Sequence, residues 1–314
     1  MAVSAEAPPV APPARERGAA ARDKPPPGEP QRIGYLYLLP AFSIYAGFVL
    51  FPLVHSLLLS FYRWDGITAG TWIGLENYRD LLADPGIRSA FSHSLVLIGF
   101  YSLLPVAIGL LLAASVSRMR VKGLAAYRTV LFLPQVIPMV VVAVVWRTIY
   151  APQSGLLNQA LRAVGLDSLA RAWLGDFTWA LPSVGLVGTW VQFGLCMVLF
   201  IAGVQKIPTS LYDAAKVDGA GPLREFFAVT LPGLRNELAV ALTLTIIAAL
   251  RNFDLVYVTT RGGPGNATSV PAFEVYNRAF LTGEVGSASA IGIALTVIIF
   301  AITFAVSRIE ERRR

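Results

Sequence analysis

The sequence predicts an all-α membrane protein, with six transmembrane helices and a helix-turn-helix on its cytoplasmic side. Three observations carry this. Hydrophobic residues make up 55% of the 314 and charged residues 14%, with a mean hydropathy of +0.60. A soluble domain of this size needs more charge to cover its surface. The apolar residues gather in six blocks, 35–59, 91–114, 128–149, 180–203, 238–258 and 288–306, of 19 to 25 residues each. At about 1.5 Å per residue each block can cross about 30 Å of hydrocarbon. The 26 Lys and Arg residues divide unevenly: 17 lie in alternate segments, counting both chain ends, 7 in the others and 2 inside blocks. That bias sets both termini in the cytoplasm.

In chain order, residues 1–32 read as a disordered cytoplasmic tail, because eight prolines with alanines and charges cannot bury enough surface to fold. They do not read as a signal peptide, since the apolar run comes late, is long and has no cleavage site after it. Residues 33–89 give the first span and an outer loop, 90–306 the core of five spans, and 307–314 a basic cytoplasmic end. Pro40, Pro52, Pro105, Pro134 and Pro138 fall inside spans. There they are tolerated when neighbouring helices or polar side chains satisfy the freed carbonyls. The segments 66–90 and 150–179 read as outer loops with short surface helices, and Trp64, Trp72, Trp146, Trp173 and Trp179 lie near outer ends, as interfacial rings do.

Several function classes are excluded. The net charge of +7 does not imply nucleic acid, because the basic residues sit in short segments between apolar blocks. Cys196 is the only cysteine, so no intrachain disulfide forms, and with His55 and His93 it makes no metal-ligand cluster. Both histidines read as satisfied or lipid-edge side chains. No Gly-Lys pair occurs anywhere, so the chain has no phosphate-cradling loop. No Ser-His-Asp or Cys-His arrangement suggests an enzyme.

The segment between the fourth and fifth blocks, Ile207 to Pro232, has its own local logic. Ser210 and Asp213 have capping-box spacing, and Ala214 and Ala215 favour helix while leaving room for another surface to approach. Gly219 can end that helix in a left-handed conformation. Pro222 suits the first position of a second helix, Phe226 and Phe227 give it an apolar side, and Pro232 is expected to stop it.

This stretch resembles the EAA loop of binding-protein-dependent ABC importer permeases. The match is carried by Asp213-Ala214-Ala215, Asp218-Gly219-Ala220 and Val229-Thr230-Leu231-Pro232 at the family spacing, with Asp213 where Glu is usual. Phe253 to Thr268, Pro52 with Ser60-Phe61, and Gly74-Leu75-Glu76-Asn77-Tyr78 are similar to carbohydrate permeases of the maltose and glycerol-phosphate type. The resemblance covers most of residues 35–280 and implies a type I importer permease fold. It implies that Asp213, Ala214, Ala215, Asp218, Gly219, Ala220 and Pro232 form a coupling helix seated on an ATP-binding subunit, with Asp213 facing a basic partner residue. It also implies a working unit of two ATP-binding cassette subunits, a second permease and an external solute-binding protein, with ATP bound by the partner and no cofactor in this chain.

Polar residues inside spans are candidates for a solute path. Thr245, Ala249 and Asn252 share one face of the fifth span by their i, i+4, i+7 spacing. In the resembling family an Asn at the position of Asn252 lines the solute site, and the stretch after the position of Trp190 faces the solute. Gln192 lies in that stretch, but a sugar-stacking Tyr of the family is replaced by Leu195, so the ligand differs or sits differently. Each candidate has a structural reading too: Trp190 as core packing, Gln192 and Thr245 as interhelical hydrogen bonds, Arg251 and Asp254 as mutual neutralisation. The expected function is passage of a sugar-like solute. A small anionic solute such as a glycerol phosphate, an amino acid permease, and a secondary transporter are the alternatives.

Overall fold

The computed structural model describes residues 31–118 and 123–311. The predicted tail lies outside them but for its last two residues, as does the tip of the basic C-terminus. The chain divides into two compact units, 1–52 and 53–314. The apolar helix Tyr35–Leu59, here the first span, crosses that division. Its large side chains lie exposed, with Phe48 at 81%.

The second unit holds the other candidate spans: Pro85–Ser115, the pair Ala126–Val136 and Met139–Ile149, Ala180–Val204, Arg235–Thr259 and Val285–Arg308. The fourth span is the axis of this unit and the most buried of them. The second span and the first half of the third pack along it, while the fifth lies against the second and sixth. Close approach rests on small residues, as is usual where apolar solvent gives helices no hydrophobic drive to associate. A Cβ at Gly188 would meet the Tyr101 ring at 2.0 Å, and one at Gly194 the Leu131 carbonyl oxygen at 2.2 Å.

The third span is not the straight crossing expected from residues 128–149. Its halves meet at 95°. Ile137 is extended at φ −72°, ψ 131°, and Pro138 caps the second half. The helical region is disfavoured for a residue before proline, and Ile137 leaves it. Other prolines are absorbed differently. Pro52, Pro105 and Pro232 each follow a five-residue π-helical segment, at Ala46–Leu50, Gly99–Leu103 and Phe226–Thr230. The wider turn accommodates a residue that has no N–H and would clash with the carbonyl four residues back. The carbonyl of Phe100, five residues before Pro105, instead accepts the Thr189 hydroxyl at 2.6 Å, the side-chain rescue expected of a proline in a span. The helix that holds Pro232 ends one residue after it, at Gly233, with Leu234 as its C-cap, close to the stop expected there.

Residues after the first span form a two-stranded hairpin, Tyr62–Arg63 with Thr71–Trp72. Buried Asn77 holds it by donating to the carbonyls of Ser60 and Tyr62 at 2.8 and 2.9 Å. Tyr78 shares a hydrogen bond with Ser60 Oγ at 2.7 Å. Asp84 caps the second span, accepting from Gly86 N at 2.7 Å, and also meets Arg278 at 2.5 Å. Arg278 reaches Glu284 at 3.2 Å and Ser287 at 2.8 Å, so this clamp ties the starts of the second and sixth spans.

Candidate coupling loop and solute path

The loop helix is Thr209–Val217, and its N-cap is Pro208 with no side-chain hydrogen bond. The expected capping box of Ser210 and Asp213 is not formed. Pro208, extended at ψ 132°, starts the helix early and draws Ser210 into its first turn. Asp213 is thereby left free for other contacts: its side chain is 72% exposed and lies 3.8 Å from Lys216 Nζ.

The helix ends as its glycine predicts. Gly219 has φ +71°. Gly219 N donates to the Lys216 carbonyl at 3.0 Å, and Ala220 N to that of Ala215 at 2.9 Å, the two bonds of a Schellman turn. Pro222 opens the second helix at its first position, and the Tyr212 and Thr230 hydroxyls, 3.2 Å apart, hold the two helices together. Asp213, Ala214, Asp218, Gly219 and Pro232 are exposed, while Ala215 and Ala220 are half-buried. Leu211, Val217, Leu223 and Phe227 are exposed apolar side chains on the same two helices, between 51% and 88%.

Two seams fasten this loop to the spans on either side. A Cβ at Gly203, near the end of the fourth span, would meet Leu234 at 2.5 Å, and one at Gly233 would meet Ile207 at 2.5 Å. Across the same junction Lys206 Nζ pairs with Glu237 Oε1 at 2.8 Å. The loop is thus packed against the ends of both the fourth and the fifth span.

Of the solute-path candidates, Trp190 is half-buried and meets Trp146 edge-on at 5.6 Å. It packs on an apolar cluster that includes Ala249, Tyr101 and Val191, with Ile137, Met139 and Phe253 at its edge. Gln192 and Asn252 are 5% and 6% exposed, and Gln192 Oε1 and Asn252 Nδ2 have no hydrogen-bond partner. Asn252 occupies the break between Arg235–Leu250 and Asp254–Thr259. Thr245 is placed apart from these. Fully buried, it donates to Ser102 Oγ of the second span and lies 2.7 Å from the Ala241 carbonyl. Arg251 and Asp254 do not neutralise each other: both are exposed, and no ion pair joins them among the described residues. The helix breaks between them, so they no longer face one another one turn apart.

The structure adds a residue that the sequence reading passed over. Gln135 Oε1 is buried without a partner, two residues before the bend at Ile137. The rule that a polar residue inside a span is a candidate would have selected it.

The segments that pointed to carbohydrate permeases have structural work here. Asn77 and Tyr78 hold the hairpin, as described. Thr268, fully buried, closes the loop after the fifth span by hydrogen bonds to Gly263 O and Thr260 Oγ1, both 2.7 Å. His93 ties that loop to the second span, 2.9 Å from the Ser269 carbonyl and 3.2 Å from Ser89 Oγ, and so is a satisfied histidine.

A family profile described as binding-protein-dependent transport system inner membrane component matches residues 105–314. A probable ABC transporter permease protein of Bacillus subtilis, YurN, is 39% identical over 273 residues, 86% of this chain and 93% of its own length. The diacetylchitobiose uptake system permease protein NgcF of Streptomyces coelicolor is 32% identical over 281 residues, covering 85% and 80%. The fold matches a chain of a bacterial ABC transporter that imports alginate, with a TM-score of 0.76 and 24% identity over 90% of this chain and 96% of that one.

Proposed function

The chain belongs to the inner membrane components of binding-protein-dependent transport systems, it is the permease subunit of an ABC importer, and we propose that it passes a neutral sugar or sugar-like solute. The scheme has two ATP-binding cassette subunits, one of them seated on the loop around Gly219, and an external binding protein that delivers the solute to this chain and a second permease. ATP binds the cassette subunits alone, and this chain carries no cofactor. Both termini and the segment 204–237 lie in the cytoplasm.

The observation that carries the solute class is the set of unpartnered amide atoms, Gln135 Oε1, Gln192 Oε1 and Asn252 Nδ2, on elements bordering the cluster on which Trp190 packs. Acceptors and a donor without charge suit hydroxyl groups, which both give and take hydrogen bonds. An indole edge or face suits the apolar side of a sugar ring. The relative named for diacetylchitobiose uptake supports the same class.

The coupling role rests on the exposed Asp213 and the turn at Gly219, fastened to two spans by the glycine seams. ATP-driven closure of the cassette subunits would pull the loop, and the seams would carry that pull to the spans beside the solute. The test is to identify the solute by calorimetry of the cognate binding protein against mono- and oligosaccharides, then measure uptake in vesicles holding the full complex. Saccharide-stimulated ATP hydrolysis in the wild type and its loss in Asp213→Lys are expected. Stimulation by an amino acid or a phosphate ester and by no saccharide would overturn the solute class. Full stimulation in Asp213→Lys would overturn the coupling role.

A further inference from the structure

An apolar groove of about 590 Å³ opens on the side of the second unit, between the helix Glu76–Ala83, the second span and the sixth. Leu82, Phe91, Leu95, Ala294 and Val297 are among its walls. The hydroxyls that line it are already engaged within the protein: Ser92 donates to the Ser89 carbonyl at 2.7 Å, and Tyr78 is bonded to Ser60. The walls therefore offer nothing to a polar guest.

One charged group stands on this groove. Arg88 lines it and is exposed, and its guanidinium has no hydrogen bond or ion pair among the described residues. It lies one turn into the second span from Asp84, whose clamp with Arg278 and Glu284 is where charged side chains collect at this end of the bundle. From Arg88 the wall descends to Leu95, about 10 Å along the helix at about 1.5 Å per residue. The order is thus a cation at the level where spans leave hydrocarbon and a dry slot running inward from it, which is the order of head and tail in a lipid.

We propose that this groove is a binding site for one phospholipid, its phosphodiester paired with Arg88 and an acyl chain lying along Phe91, Leu95 and Val297. A second protein helix is the other apolar occupant of this shape. It would leave the Arg88 guanidinium unpaired unless it brought an acid of its own, whereas the phosphate of a lipid headgroup at that level neutralises it. The site stands whichever solute the importer carries, and its test does not read transport.

The test uses the complete importer in phosphatidylglycerol nanodiscs doped with a phosphatidylglycerol that bears a diazirine in mid-chain. After irradiation, labelled residues are mapped by mass spectrometry, with the exposed face around Val130 and Leu133 as the measure of bulk lipid. Label concentrated on Phe91, Leu95 and Val297 above that measure is the expected result. Arg88→Gln should lower it about fivefold, the effect of one cation at a lipid surface, and Val297→Trp should abolish it by filling the slot. Groove labelling no higher than at Val130 overturns the proposal. So does labelling that Val297→Trp removes and Arg88→Gln leaves intact, since the slot would then be an unselective crevice. A cross-link from Leu82→Cys to the second permease in place of lipid label overturns it in favour of a protein occupant.

Discussion

Gly219 shows how a single residue's conformation separates two explanations for one motif. A Cβ built there meets nothing within 4 Å, so crowding cannot explain a need for glycine. The positive φ of +71° can, because it costs other L-residues about 1–2 kcal/mol and asparagine less. Stimulated ATP turnover should therefore fall in the order wild type, Gly219→Asn, Gly219→Val, with membrane insertion normal in all three. Equal turnover in the two variants would detach the turn from coupling. The polar residues of the spans divide in a similar way. Gln192 Oε1 has no partner, so Gln192→Met should leave thermal stability unchanged or raise it, since an unsatisfied buried group costs about 1–3 kcal/mol, and yet lower uptake. Thr245→Val should do the opposite, losing about 0.6 kcal/mol with the bond to Ser102 and sparing the solute affinity. Thermal melts and uptake kinetics on the two variants check this, and a crossed outcome would exchange their roles. Local sequence does not tell Gln192 and Thr245 apart in role, because both are uncharged polar residues within apolar runs. Only the partner across the helix interface, present for one and absent for the other, tells them apart.

Helices were legible in the sequence as lengths of apolar chain, and all six blocks correspond to the candidate spans. Their continuity was not legible. Pro105 and Pro138 both sit inside apolar runs, but Pro105 is absorbed by a π segment and a Thr189 hydroxyl, while Pro138 bends its span by 95°. What separates them is a neighbour 89 residues away in the chain, beyond the reach of local periodicity. The Ser210 cap was misread for a local reason: Pro208 can start a helix by its backbone alone, so the capping residue went unused. The junction of the fourth and fifth spans has a test of its own. Reversing Lys206 to Glu, or Glu237 to Lys, sets like charges 2.8 Å apart and should weaken coupling of ATP hydrolysis to uptake in either single variant. The double exchange should restore most of it. Coupling that stays normal in both single variants would leave the glycine seams to carry the motion alone.

At the scale of the molecule, the clamp between the second and sixth spans makes its stability depend on pH in a definite direction. Partial burial pushes the Asp84 carboxyl up, but hydrogen bonds from Gly86 and Ile87 and the Arg278 guanidinium together push harder, and its pKa lies below the ordinary 3.8. The ionised form is thus favoured in the folded protein. Its contribution is complete above pH 3.8 and is lost as the pH falls through the folded value below that. Asp84→Asn should melt earlier than wild type from pH 5 to 7, and the gap should close only below about pH 4; a gap that already closes at pH 6 would point to another group. The unbroken fourth span has a further mechanical consequence. Its 25 residues form a stiff strut about 37 Å long, anchored at the loop and able to deliver a pull across the whole membrane. The fifth span starts beside the same loop, but its helix is interrupted at residues 251–253, about 24 Å along. Were the loop pulled as proposed, the unbroken helix would carry Gln192 with it, while the interrupted one could bend beside Asn252, and the two side chains would not move as one.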